Sequence, residues 1–334
     1  MQMKQWVNEI ITAEKKKPLP ILSFPSVQLM NTSVRELVYD SDLQARGMKM
    51  IAERCDALAA VSMMDLSVEA EAFGSRIRVD DREVPTVIGA IVCEPEDAEA
   101  LAIPEVGTGR TGLYISAIEK AVKLMDDRPV FAGVIGPFSL AGRLMGISDI
   151  MINCYDEPEM VVATVEKCTA FLKNYILAYK AVGAAGVVIA EPVAGVLSPA
   201  MMAEFSGRFL KQLVAEVQDD SFGVIYHNCG NAAHLMLPQI ADIGAIGYHF
   251  GDAVDMEEVC KGMPSDCLVM GNVSPAKTLR GGTPESVRAE TLAVLEACSK
   301  YPNFVISSGC DIPPDTKWEN IDAFFNAVEE FYAQ

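Results

Sequence analysis

The tripeptide His227-Asn228-Cys229 holds the densest chemistry in this sequence. In an extended chain residues i and i+2 face the same way, so the imidazole and the thiol can point together. A second thiol, Cys310, lies far downstream. Two thiolates and one imidazole suit zinc, which takes N and S donors, and three protein ligands leave the open fourth position of a catalytic site. Glu191 is a candidate for that fourth position. A plainer use stands beside this one. Free cysteine packs as a small hydrophobe, and the tripeptide alone does not choose between core packing and a metal.

What must position these residues is a series of short apolar runs, at 20–24, 57–63, 129–135, 186–190, 222–226, 245–250, 267–271 and 304–307. Most are rich in Val and Ile without polar alternation, as strands buried on both faces are. Stretches of helical period separate them, and the alternation predicts an α/β fold, a closed (β/α)8 TIM barrel in a single domain. Helix starts are expected at Asp156-Glu157-Pro158-Glu159, with Asp156 as cap, and at Ser198-Pro199 and Thr283-Pro284. Ile321, Phe324, Phe325, Val328 and Phe331 recur at helical spacing as core, and the charged stretch 74–92 reads as a hairpin-like insertion.

In such a barrel chemistry sits at the C-terminal ends of the strands. The residues that follow the apolar runs are Asp65, Gly136-Pro137-Phe138, Glu191-Pro192, His227-Asn228-Cys229, His249, Asn272 and Cys310-Asp311. Acid, imidazole and thiol groups concentrate where the fold would focus them. Asp65 has two readings of equal weight, a catalytic carboxylate or a loop cap.

Composition narrows the field. Half of the 334 residues are hydrophobic, enough for a large core and unlike a disordered chain. Asp and Glu outnumber Lys and Arg 46 to 27, for a formal charge of −19, which argues against a nucleic-acid surface or an anionic membrane as partner. Nine cysteines, an odd number without the close spacing of a secreted scaffold, read as reduced thiols in a cytoplasmic protein. The first 17 residues are mixed and charged and carry no expectation of a targeting segment.

From about Asp56 onward the chain resembles the uroporphyrinogen decarboxylase superfamily. The segments that carry the likeness are Met64-Asp65-Leu66 with Glu69-Ala70-Glu71-Ala72-Phe73-Gly74, and Gly133 to Ala141. Glu191-Pro192-Val193-Ala194-Gly195, Gly271-Asn272-Val273-Ser274-Pro275 and Ser308 to Thr316 continue it. The resemblance implies a (β/α)8 barrel. The decarboxylases hold a polyanionic tetrapyrrole with arginines near the first strand, where this chain reads Ser23-Phe24-Pro25-Ser26-Val27-Gln28-Leu29-Met30 with no arginine before Arg35.

The chain looks instead like the corrinoid-dependent methyltransferase branch, whose His-x-Cys and distant Cys match His227, Cys229 and Cys310. That likeness implies zinc as cofactor, methylcobalamin or a related corrinoid as methyl donor, a corrinoid protein as partner, and a small thiol such as coenzyme M as acceptor. Glu191 and Asp65 are then the expected catalytic carboxylates. Gly136, Pro137 and Phe138 would shape the mouth where the corrinoid ring docks. His249 would touch the thiol or a corrinoid edge, or be a hydrogen-bonded structural residue. A porphyrinogen decarboxylase and a non-catalytic corrinoid- or metal-binding component are the competing functions.

Overall fold

The structure is a computed structural model and describes residues 2–333. Strand β1 (Ala60–Val61) is followed by a separate antiparallel pair, β2 (Arg76–Arg78) and β3 (Thr86–Ile88), within the stretch read as an insertion. Then come β4 (Val130–Ile135), β5 (Gly186–Ala190), β6 (Gly223–Asn228), β7 (Gly247–Phe250), β8 (Leu268–Val273) and β9 (Phe304–Ser308). β1 and β4 to β9 pair side by side in chain order, every pair parallel, in one seven-stranded sheet. Helical segments connect the parallel strands, as parallel pairing requires.

The eighth expected strand, at 20–24, does not form a strand ladder. The Leu19 N–H donates to Ile306 O at 3.0 Å and the Ile21 N–H to Ser308 Oγ at 3.1 Å, both on the β9 side. On the side of β1 only Pro18 O takes part, accepting from the Leu58 N–H at 2.9 Å. Pro18 and Pro20 face that side, and proline has no N–H to donate. The segment therefore touches both edges of the sheet and pairs fully with neither.

The period of two along each strand divides the core into layers. Val61, Phe131, Val188, Ala190, Ile225, Leu268, Met270 and Val305 form the inner layer. Met3, Trp6, Val7 and Ile10 of the helix Met3–Thr12 pack against it. Val187, Ile189, Val224, Tyr226 and Val269 turn the other way and pack with the helices. This double burial explains why the strands read as unbroken apolar runs.

Ser198 and Thr283 cap their helices as expected, through the N–H groups of Met201 and Ser286. Asp156 does not cap. It ends the helix Ile147–Asp156, and Glu157 precedes Pro158 at the start of Pro158–Ala181, because a first-turn proline needs only one residue of non-helical backbone before it. The C-terminal helix Trp318–Ala333 buries Ile321, Phe324 and Val328. Among the described residues no helix is long and apolar enough to cross a membrane.

Candidate metal centre

His227 sits on β6 two residues after Ile225 and so shares the inner face with it. Cys229 follows in the same phase just beyond the strand, and Cys310 lies two residues past the end of β9. One ligand atom from each of His227, Cys229 and Cys310 falls within 4.8 Å of the others. Gly251, after β7, makes room for this, since a Cβ there would stand 2.6 Å from the Cys229 Cα.

The donor set fits zinc. Tetrahedral bonds of about 2.05 Å to nitrogen and about 2.3 Å to sulfur place N and S roughly 3.6 Å apart. Cys310 Sγ and His227 Nε2 are 3.4 Å apart. The hydrogen bond from Cys310 and the nearby His227 draw the Cys229 thiol well below its ordinary range, against the effect of burial. The bond to Cys229, together with burial, pushes Cys310 up. Cys229 and Cys310 are both half-buried residues.

The other ring nitrogen of His227 is also engaged. His227 Nδ1 lies 2.7 Å from His249 Nδ1, and His249 Nε2 lies 2.7 Å from Ser307 Oγ. Burial, reinforced by His227, pulls the His249 pKa well down and leaves the ring neutral.

Glu191 is not part of this group. Ala190, not Glu191, is the β5 residue paired with His227, and one step along a strand reverses the face. Its carboxylate lies fully buried on the outer side, where Oε1 accepts from the Ser139 N–H at 3.0 Å and from Ser206 Oγ at 3.2 Å. Its Oε2 has no partner, and burial pushes the acid up to about 8. The expected role as fourth zinc ligand is corrected accordingly.

Gly136, Pro137 and Phe138 belong to the same outer site. A Cβ on Gly136 would come 1.3 Å from Glu191 Oε2, and Phe138 is wholly buried at the start of the helix Pro137–Met145. They seat a carboxyl group and present no surface to a corrinoid ring. His249, also buried, contacts His227 rather than a corrinoid edge. Asp65, the other expected carboxylate, is engaged on both oxygens. Arg110 and Tyr114 hold its Oδ2, the Ser67 hydroxyl and N–H hold its Oδ1, and Arg110 reaches on to Glu71 at 2.7 Å. Both oxygens are thus occupied, Oδ2 in a buried ion pair with Arg110.

Sequence reasoning missed three residues. Arg110 gives no local sign of its pairing with Asp65, and Ser307 looked like ordinary strand. Asp311, beside Cys310, was noted only as a strand-end residue. Its Oδ2 accepts from the Met64 N–H at 3.0 Å, its Oδ1 has no partner, and burial pushes it up to about 7.

A parallel α/β sheet with a His/Cys/Cys group that could hold a metal at the C-terminal ends of its strands defines the class, an α/β enzyme. The chain belongs to the uroporphyrinogen decarboxylase (URO-D) family, whose description it matches over residues 24–331. It is 28% identical over 272 residues to the methylcobamide:CoM methyltransferase MtbA of Methanosarcina acetivorans, covering 80% of this chain and 78% of that one. To the uroporphyrinogen decarboxylase of Pseudomonas syringae pv. syringae it is 27% identical over 287 residues, covering 83% and 79%. In fold it is similar to a methyltransferase from Methanosarcina mazei, with a TM-score of 0.86 at 24% identity over 99% of each chain.

Proposed function

We propose that this protein, a methyltransferase, moves a methyl group from a methylated corrinoid carried on a partner protein to a small thiol such as coenzyme M. The observation that carries the proposal is the convergence of His227, Cys229 and Cys310 within 4.8 Å. These three residues would hold zinc. Zinc bound there supplies a Lewis acid that keeps a thiol ionised and nucleophilic near neutral pH.

The chain's own groups prepare the site. The two cysteines would release protons as they become ligands; the hydrogen bond from Cys310 to Cys229 favours ionisation of Cys229 and holds the proton on Cys310 until the metal displaces it. To serve as a ligand His227 would present a bare Nε2, the ring nitrogen 3.4 Å from Cys310 Sγ. The mouth would position the substrate sulfur for transfer and limit access of water. In the transfer the thiol loses its proton, its sulfur bonds to the methyl carbon, and the electron pair of the carbon–cobalt bond stays with cobalt, which leaves as Co(I).

Decarboxylation of a polyanionic tetrapyrrole is disfavoured by the disposition of the arginines. Arg35, the first in the chain, pairs with Asp81 at the surface, and Arg110 is tied up by Asp65 and Glu71. We further read residues 1–334 as one domain in which the segment at 18–22 closes the sheet into a barrel. Its nine unpaired thiols suit the cytoplasm.

The test is to incubate the protein with methylcobalamin and a panel of thiols, following loss of methylcobalamin by absorbance and methyl thioether by mass spectrometry. Thiol-dependent demethylation that Cys229→Ala abolishes is expected. Release of carbon dioxide from a porphyrinogen by metal-free protein, without methyl transfer, would overturn the reading.

A further inference from the structure

We propose that His249 is a positioning residue that, together with Ser307 and the Leu19 carbonyl, fixes the tautomer of His227 and so turns its bare Nε2 toward the metal centre.

The direction of the chain of hydrogen bonds follows from its fixed end. A backbone carbonyl can only accept, and Ser307 Oγ lies 2.7 Å from Leu19 O, so the hydroxyl proton points there. Ser307 Oγ must then accept from His249 Nε2 at 2.7 Å. A neutral imidazole carries one proton, so His249 Nδ1 is bare. Only a donor can stand 2.7 Å from it, and that donor is His227 Nδ1–H. The neutral His227 ring is left with its lone pair on Nε2, the nitrogen that faces Cys310 Sγ at 3.4 Å.

Backbone pairing holds the chain in place. His227 and His249 are opposite one another in the β6–β7 ladder, Ser307 lies on β9, and all three point to the inner face. Leu19 belongs to the segment that touches β9 through its own N–H, so the fixed end of the relay is held by the region where the sheet's edges meet. Other groups that orient metal-bound histidines typically change metal affinity by roughly 10–100-fold when removed.

The inference rests on the zinc reading, and its test separates the two. The chain has only three histidines, His227, His234 and His249, so nitrogen NMR of the histidine-labelled, reduced protein resolves each ring. Protonated Nδ1 on His227 and protonated Nε2 on His249 are expected before any metal is added. The reverse pattern, with His227 Nδ1 bare, overturns the inference whether or not zinc binds.

Zinc affinity by chelator competition supplies a second arm. His249→Leu is expected to weaken zinc roughly 10–100-fold, while His249→Asn, whose amide oxygen can sit where Nδ1 was, loses less than about tenfold. Ser307→Ala, which leaves both rings in place, is expected to fall between them. Equal affinity in folded wild type, His249→Leu and Ser307→Ala would overturn the inference while leaving the zinc centre intact. Loss of zinc in Cys310→Ser reports on the centre alone.

Discussion

Glu191 and His227 are joined by a backbone hydrogen bond of 2.9 Å, from the Glu191 N–H to the His227 carbonyl, yet their side chains leave the sheet on opposite faces. The imidazole enters the mouth, and the carboxyl enters a closed outer pocket with Ser139 and Ser206. Glu191→Gln is therefore expected to retain the wild-type zinc content. Metal analysis of the two purified proteins checks this, and a marked loss in the variant would return Glu191 to the centre.

Glu191 has a different effect, on the pH dependence of stability. Burial pushes Glu191 and Glu69 from 4.5 up to about 8, and each keeps one oxygen without a partner. Between those values the folded chain holds protons that the unfolded chain has released, so stability falls as pH rises. The contribution is fully present below about 4.5 and is lost through about 8, at up to about 1.4 kcal/mol per pH unit for each carboxyl. Urea denaturation at pH 6 and pH 8 is expected to show lower stability at pH 8, and Glu191→Gln should flatten the difference. A wild type more stable at pH 8, with the variant unchanged in slope, would contradict this.

The ion pair of Arg110 with Asp65 is almost fully buried, at 4% and 0% side-chain exposure. Removing Asp65 leaves the buried Arg110 with only the partly exposed Glu71 as counter-charge, which costs up to about 3–5 kcal/mol. Asp65→Ala is expected to unfold at correspondingly lower denaturant while binding zinc as before when folded. Undiminished stability with lost zinc would restore Asp65 to a role in the site.

Gly251 lies against the Cys229 backbone, where a methyl group would need the metal ligand itself to move. Gly251→Ala is expected to cost about 1–3 kcal/mol of stability through overpacking. Because the displaced atoms carry a ligand, zinc affinity should fall as well. Chelator competition on the folded variant measures it, and an affinity equal to wild type would show that Cys229 can shift freely.

The convergence of His227, Cys229 and Cys310 was legible because its determinants survive in one dimension. Spacing of two placed His227 and Cys229 on one face, and the strand-end rule brought Cys310 to the same mouth. That rule fixes position along the strands but not the face, which is why Glu191 and the Gly136-Pro137-Phe138 turn were misplaced to the inner side. Arg110 escaped because its partner is distant in sequence and a charge carries no periodicity to reveal it. The role of His249 depended on which strands become neighbours, and the ladder that sets it opposite His227 is a property of the folded sheet. At 20–24 the hydrophobic pattern suggested a strand, and Pro18 and Pro20, which deny the segment a full ladder, outweighed that pattern.

A metal held by His227, Cys229 and Cys310 is tested most directly by zinc per chain in the purified, reduced protein compared with Cys310→Ser. About one zinc per wild-type chain, with a marked loss in the folded variant, is the predicted result. A folded, reduced wild type that carries no zinc and takes up none when it is offered would contradict it.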